Sequence, residues 1–424
     1  MTGGEDRQER SLASASRILA ASMLAASAAN YVLNIVLVRW LDLASFGDAS
    51  LMVTLMLGLT SLAVGLQLVT VTWTVGQSDE AKAIAARRLR RFGFALGVAS
   101  GASMAATAPW LAALLNTQSS NLFVFLGVGL GPFFVVAVDR GLLQSNLRFG
   151  DLAATYVVEA AVRLGVALAL VHAGLGATGA TIGLAASFVG TWAFTARRTE
   201  PVARHRSGAS SPASSAGVLP VAVLLAGQVL INNGDVILSK AILSAESAGG
   251  FAAVALIGRA VFFASWAVLQ AVFPAAVASD GHDRSLTRAA LAIVAGVNVA
   301  ALVVLAVGAT FIGSILFGNA VGDARLLFPY ALATSLFALA NVLATIDVAR
   351  GSAKLAAMIV VGAVTQTIGM MLFATDSASL INVQIAVMAA LAVAVAGASR
   401  DLWAKPSTQR RPELAANTRA PVHS

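Results

Sequence analysis

The sequence predicts an all-α polytopic membrane protein of about twelve transmembrane helices, on three observations. The chain of 424 residues is 58% hydrophobic and only 11% charged, too little polar surface to clothe a soluble globule of that size. Its apolar residues fall in runs of roughly 18 to 25, the length an α-helix needs to cross about 30 Å of hydrocarbon. The 28 lysines and arginines alternate between the segments that join those runs.

Reading apolar runs against charged and turn-forming breaks places spans at 18–38, 49–74, 92–114, 122–138, 152–172, 176–195, 218–239, 249–275, 289–316, 327–348, 355–374 and 381–399. The N-terminal stretch MTGGEDRQERSLASASR leads directly into a full-length span and lacks the short apolar core and cleavage site of a removable signal peptide. With that end in the cytoplasm, 23 of the 28 basic residues lie inside, among them Arg87, Arg88, Arg90, Arg91, Arg140 and Arg148. Three lie outside, Arg39, Lys240 and Arg325, and Arg163 and Arg259 fall within spans. The positive-inside rule then predicts a multi-pass protein with both termini cytoplasmic. Trp40, Trp73, Trp110, Trp192 and Trp403 fall near span ends, where an amphipathic ring suits the interface, and Trp266 is the exception.

The chain divides at residues 197–217, a basic and then Ser/Ala/Gly-rich segment that reads as a cytoplasmic linker. It separates a six-span half at 1–196 from another at 218–400, followed by a basic tail at 401–424. The halves echo each other. Asn34 to Arg39 closes the first span and Asp235 to Lys240 the seventh, while Arg140-Gly141 and Arg350-Gly351 follow the fourth and tenth. Spans one and seven run in the same direction, so the repeat is parallel, about an axis along the membrane normal. The small residues of LGATGATIG, with Gly174, Gly176, Gly179 and Gly183, favour close helix approach.

The absence of cysteine excludes disulfides and thiolate metal sites, and four histidines are few for any other metal centre, so no cofactor or metal is expected. The net charge of +8 is explained by topology signals rather than nucleic-acid binding. No phosphate-binding glycine loop precedes a Lys-Ser/Thr pair, which argues against direct use of ATP.

Ionisable groups inside spans each require a partner or a watery cavity. Four stand out: Glu159, Arg163, Asp235 and Arg259. Glu159 and Arg163 are spaced i, i+4 and share a helix face, roughly 12 and 18 Å deep. They form either a self-neutralising pair between helices or a site at which Arg163 offers its forked donors to a phosphate. Asp235, about 7 Å below an interface marked by Lys240, is within reach of Arg259. That pair is either an interhelical salt bridge or a gate or coupling-ion site that changes between states. Asn30, Asn34 and Gln67 in the first half, and Gln228, Asn232 and Asn233 in the second, add hydrogen-bonding groups that serve as helix glue or line a polar cavity. Pro132 and Pro274 interrupt spans and are candidate hinges.

RGLLQSNLRF from Arg140 to Phe149, the span holding Glu159 and Arg163, and the glycine-rich sixth span together resemble the polysaccharide-flippase branch of the multidrug/oligosaccharidyl-lipid/polysaccharide exporter superfamily. Val38-Arg39-Trp40-Leu41 before a Phe-Gly turn, Asn232 to Asp235, and Ala248 to Phe251 extend the likeness over nearly all spans. The resemblance implies two six-helix lobes around a central cavity, alternating access, and flipping of a polyprenyl-pyrophosphate-linked saccharide for cell-surface polysaccharide synthesis. It implies cationic cavity residues, which Arg163 and Arg259 would supply. Its implied partners are the lipid-linked saccharide, membrane lipids, a polysaccharide polymerase and glycosyltransferases.

The nearest alternative is a cation-coupled multidrug antiporter of the same superfamily, using an acid such as Asp235. A major-facilitator carrier would show Gly-x-x-x-Asp-Arg-x-Gly between spans two and three, where GQSDEAKAIAARRLRRFG stands instead. A membrane glycosyltransferase or polymerase resembles its relatives in having sizeable acidic external loops, whereas the predicted outside loops are about ten residues or fewer. The chain is therefore expected not to be an enzyme.

Overall fold

The computed structural model describes residues 2–199, 218–278, 284–317 and 324–400. The parts of the expected linker and tail at 200–217 and 401–424, and the expected inside and outside turns at 279–283 and 318–323, lie outside the described residues. Thirteen α-helices follow in order among the described residues: α1 Thr2–Trp40, α2 Leu43–Thr74, α3 Asp79–Ala106, α4 Ala108–Leu114, α5 Asn121–Ser145, α6 Phe149–Leu170, α7 Gly176–Thr199, α8 Val218–Ile242, α9 Ala245–Ala278, α10 Arg284–Phe317, α11 Leu327–Ala349, α12 Lys354–Phe373 and α13 Ser377–Ala398. All but the seven-residue α4 are long enough to span a bilayer. Among the described residues, with α6–α7 taken together, ten segments are also apolar enough, or eleven with α3 and α4 as one bent span, against about twelve expected.

Local chemistry sets the boundaries. Ser78 accepts from Ala81 N at 3.3 Å and caps α3, whose first turn carries Asp79 and Glu80 at the favourable end of the helix dipole. The stretch 79–91, expected to be loop, is therefore helical and lengthens α3 to 28 residues. At Thr107 the chain bends by 63° into α4. The 51 residues Phe149–Thr199 would be about 75 Å as one helix. They fold back instead, because Gly174 (φ 89°) and Gly176 (φ 55°) adopt left-handed conformations beside the π-helical turn Val171–Leu175. Asp376 caps α13 through Ser379 N at 2.7 Å while Ser379 Oγ accepts from Asp376 N at 2.9 Å.

Successive helices run antiparallel, so two faces can be distinguished. The turn face carries the α1–α2, α6–α7, α8–α9 and α12–α13 turns, and the tail face carries the α2–α3, α5–α6 and α11–α12 turns. In the first lobe α1 packs on α6, α2 and α3 on α5, α5 on α7 and α6 on α7. In the second, α8 packs on α12, α9 and α10 on α11, α11 on α13 and α12 on α13. The neighbour pattern is the same in both. The α3–α5 seam is tight: a Cβ on Gly101 would sit 2.2 Å from Gly127 O, and one on Gly97 2.3 Å from Leu130 O, so these backbones touch. The lobes meet chiefly where α2 lies against α8 and α9. Trp40, Trp73, Trp110 and Trp192 are exposed, as interface residues should be.

Candidate functional site

Each lobe holds a charged cluster within its expected spans, around Glu159 in the first and Asp235 in the second. In the first lobe Glu159 lies between two arginines. Arg163, one turn along α6, donates Nη2 to Glu159 Oε1, and Arg140 on α5 donates Nη2 to Glu159 Oε2 at 2.7 Å. Arg140 also donates Nε to Thr155 Oγ1 at 2.9 Å and covers the Tyr156 ring at 4.1 Å. Arg163 donates Nη1 to Asn30 Oδ1 at 2.8 Å, which ties α6 to α1. The cluster thus has two cations and one anion, a formal charge of +1. Arg163 is 4% exposed, and its Nε is buried without a hydrogen-bond partner.

The second lobe holds a neutral arrangement. Asp235 on α8 is 0% exposed and accepts from Arg259 Nη2 of α9 at 2.7 Å. Its other oxygen accepts from the Tyr330 hydroxyl of α11. The expected pairing across α8 and α9 is therefore present, with a third member. Arg259 Nε is again buried without a partner.

The expected polar residues divide by neighbourhood. Asn30 joins the first cluster, and Asn34 donates to Asn30 O at 2.8 Å beside it. Gln67 lies apart, donating to Gln144 Oε1 at 2.8 Å between α2 and α5. Asn232 and Asn233 donate to the backbone of their own helix at Gln228 and Val229, each at 2.8 Å. Gln228 bonds Asn341 Oδ1 at 2.7 Å between α8 and α11.

Two sequence expectations change. Lys240 does not mark a wet interface: it is 0% exposed and donates Nζ to Asp48 Oδ1 at 2.7 Å across the lobe joint. Arg140 is not a loop residue, because α5 continues to Ser145 and buries it. Sequence reasoning also missed Tyr330 and the buried Asp139, which accepts from Arg90 Nε and Thr195 Oγ1, each at 2.7 Å. The adjacent charges Asp139-Arg140 at the end of an apolar run were the available signal.

No family profile matches the chain, and no curated protein matches its sequence. Solved structures match its fold. The inward-facing conformation of a multidrug resistance MATE family transporter of the MOP superfamily gives a TM-score of 0.70 at 15% identity, over 90% of this chain and 97% of that one. The outward-facing conformation of such a transporter gives 0.59 at 15% identity, over 91% and 94%. A MOP superfamily transporter from Pyrococcus furiosus, for which a binding pocket of reverse polarity suggests a different function, gives 0.54 at 13% identity, over 92% and 96%. The chain thus shares the overall helical fold of these solved structures.

Proposed function

We propose that the chain is an inner-membrane flippase that translocates a polyprenyl-pyrophosphate-linked saccharide by alternating access, with the tail face cytoplasmic and residues 197–217 the cytoplasmic linker between the two lobes. The observation that carries this reading is the charge state of the embedded clusters. Asp48, Asp139, Glu159 and Asp235 are each engaged by a cation, and the surplus charge, on Arg140 and Arg163, is positive. An antiporter of cationic drugs would need a carboxylate free to exchange a proton or metal ion. Asp235, the candidate for that role, has one oxygen on Arg259 and the other on Tyr330. An anionic headgroup instead suits a site with a surplus guanidinium and unfilled donors at Arg163 Nε and Arg259 Nε. The lipid tail would stay in the bilayer while the saccharide crosses between the lobes. The greater likeness to the inward-facing relative supports a cytoplasm-open state.

Deletion of the gene should leave the lipid-linked saccharide accumulating on the cytoplasmic leaflet, and replacing Arg163 or Arg259 by Ala should abolish export at normal membrane abundance. Normal periplasmic delivery in the deletion strain would exclude the flippase reading. Normal transport by both variants would make the arginines structural.

A further inference from the structure

The only ion pair between the lobes among the described residues is Asp48–Lys240, and both residues are 0% exposed. It lies where α2 starts and α8 ends, at the turn face. We propose that this pair is the latch that holds the turn face closed, and that its separation is the step that opens that face.

The surroundings of the pair belong to both lobes. Lys240 Nζ also donates to Asn116 O at 3.0 Å, and Asp48 Oδ2 accepts from Gln118 N at 2.9 Å. Both partners come from the α4–α5 segment of the first lobe, in which Asn116 takes a left-handed φ of 47°. Asn116 Nδ2 returns to the second lobe, donating to Leu243 O at 3.3 Å. Beside the pair the backbones meet at glycines. A Cβ on Gly249 would sit 1.7 Å from Leu43 O, and one on Gly47 3.0 Å from Gly249 Cα. Arg39, which occupies in α1 the place that Lys240 holds in α8, also crosses the joint, donating to Ile315 O of α10.

The physics of a buried ion pair makes this joint two-state. Taking an ammonium and a carboxylate out of water is offset only while they attract each other at short range with their remaining bonds satisfied. Once the lobes part, water solvates both, so intermediate separations carry the desolvation cost without the attraction. Removing one charge leaves its partner buried and uncompensated in the closed state alone. That shifts the closed-to-open ratio by on the order of a hundredfold or more towards open. Exchanging the two residues keeps the attraction and its range.

The latch requires alternating access but no particular substrate, so it stands or falls separately from the flippase reading. The chain has no native cysteine, so spin labels can be placed at Asn121→Cys and Glu246→Cys, exposed starts of α5 and α9 in opposite lobes. Electron–electron distance measurement in lipid nanodiscs should give mainly a short distance in the otherwise unaltered chain. Asp48→Asn and Lys240→Met should each be dominated by a longer one, and Asp48→Lys with Lys240→Asp should restore the short one. A short distance persisting in both single variants would overturn the latch. If neither single variant folds, the exchanged variant decides alone: a predominantly short distance supports the latch, and a predominantly long one overturns it.

Discussion

Glu159→Gln tests the charge logic of the first-lobe cluster. Glu159 accepts one charge-assisted hydrogen bond from Arg140 and one from Arg163, each worth about 1.5–3 kcal/mol. Glutamine keeps one acceptor oxygen but turns an N–H group towards a guanidinium, and the cluster charge rises from +1 to +2 in a low-dielectric site. The expected cost is about 3–5 kcal/mol, the range for breaking a buried pair. Arg163→Met should cost less, about 1–3 kcal/mol, because Arg140 and Glu159 remain as a neutral pair and Asn30 Oδ1 loses one donor. The double variant Glu159→Gln/Arg163→Met returns the charge to +1 and should recover part of the loss. Thermal unfolding of the purified protein in detergent, followed by tryptophan fluorescence, gives the ranking. If Glu159→Gln unfolds at the wild-type temperature, or Arg163→Met is the more damaging, Glu159 is not the shared counterion.

Helix packing offers a second test: Gly101→Ala should lower stability by about 1–3 kcal/mol because its Cβ meets Gly127 O. Gly58→Ala, with nothing within 4 Å of the added atom, should be neutral or slightly stabilising in the same unfolding measurement. At the turn face the Ser45 backbone N–H holds the Asp42 carboxyl below the ordinary aspartate value. A depressed folded pKa means that this contribution is complete above about pH 4 and lost as pH falls through the folded value. Asp42→Asn should therefore flatten the acid limb of a stability–pH curve and leave its slope above about pH 5 unchanged.

Much of this arrangement is legible in the chain because its signals are local. Length and hydropathy give the spans, and i, i+4 spacing gives the Glu159–Arg163 pair. Depth counting along α8 and α9 brings Asp235 within reach of Arg259, although Lys240, used there as the interface mark, is itself buried. The unread members are joined by tertiary packing. Arg140 reaches Glu159 across the α5–α6 hairpin, Tyr330 reaches Asp235 from 95 residues away, and Lys240 reaches Asp48 across 192. No periodicity links such positions. The helical stretch 79–91 was obscured for another reason: its charges read as a loop, although Ser78 and the acidic first turn begin a helix that ends in lipid.

The proposed function rests on an interior that serves an anionic lipid-linked headgroup. Its most direct test is transport by the purified chain in proteoliposomes, with a labelled polyprenyl-pyrophosphate saccharide in one leaflet and a cationic dye offered in parallel. The saccharide lipid should move to the opposite leaflet, Arg163→Ala should lose that movement, and the dye should stay in place. Ion-driven movement of the dye with the saccharide lipid left in place would contradict it.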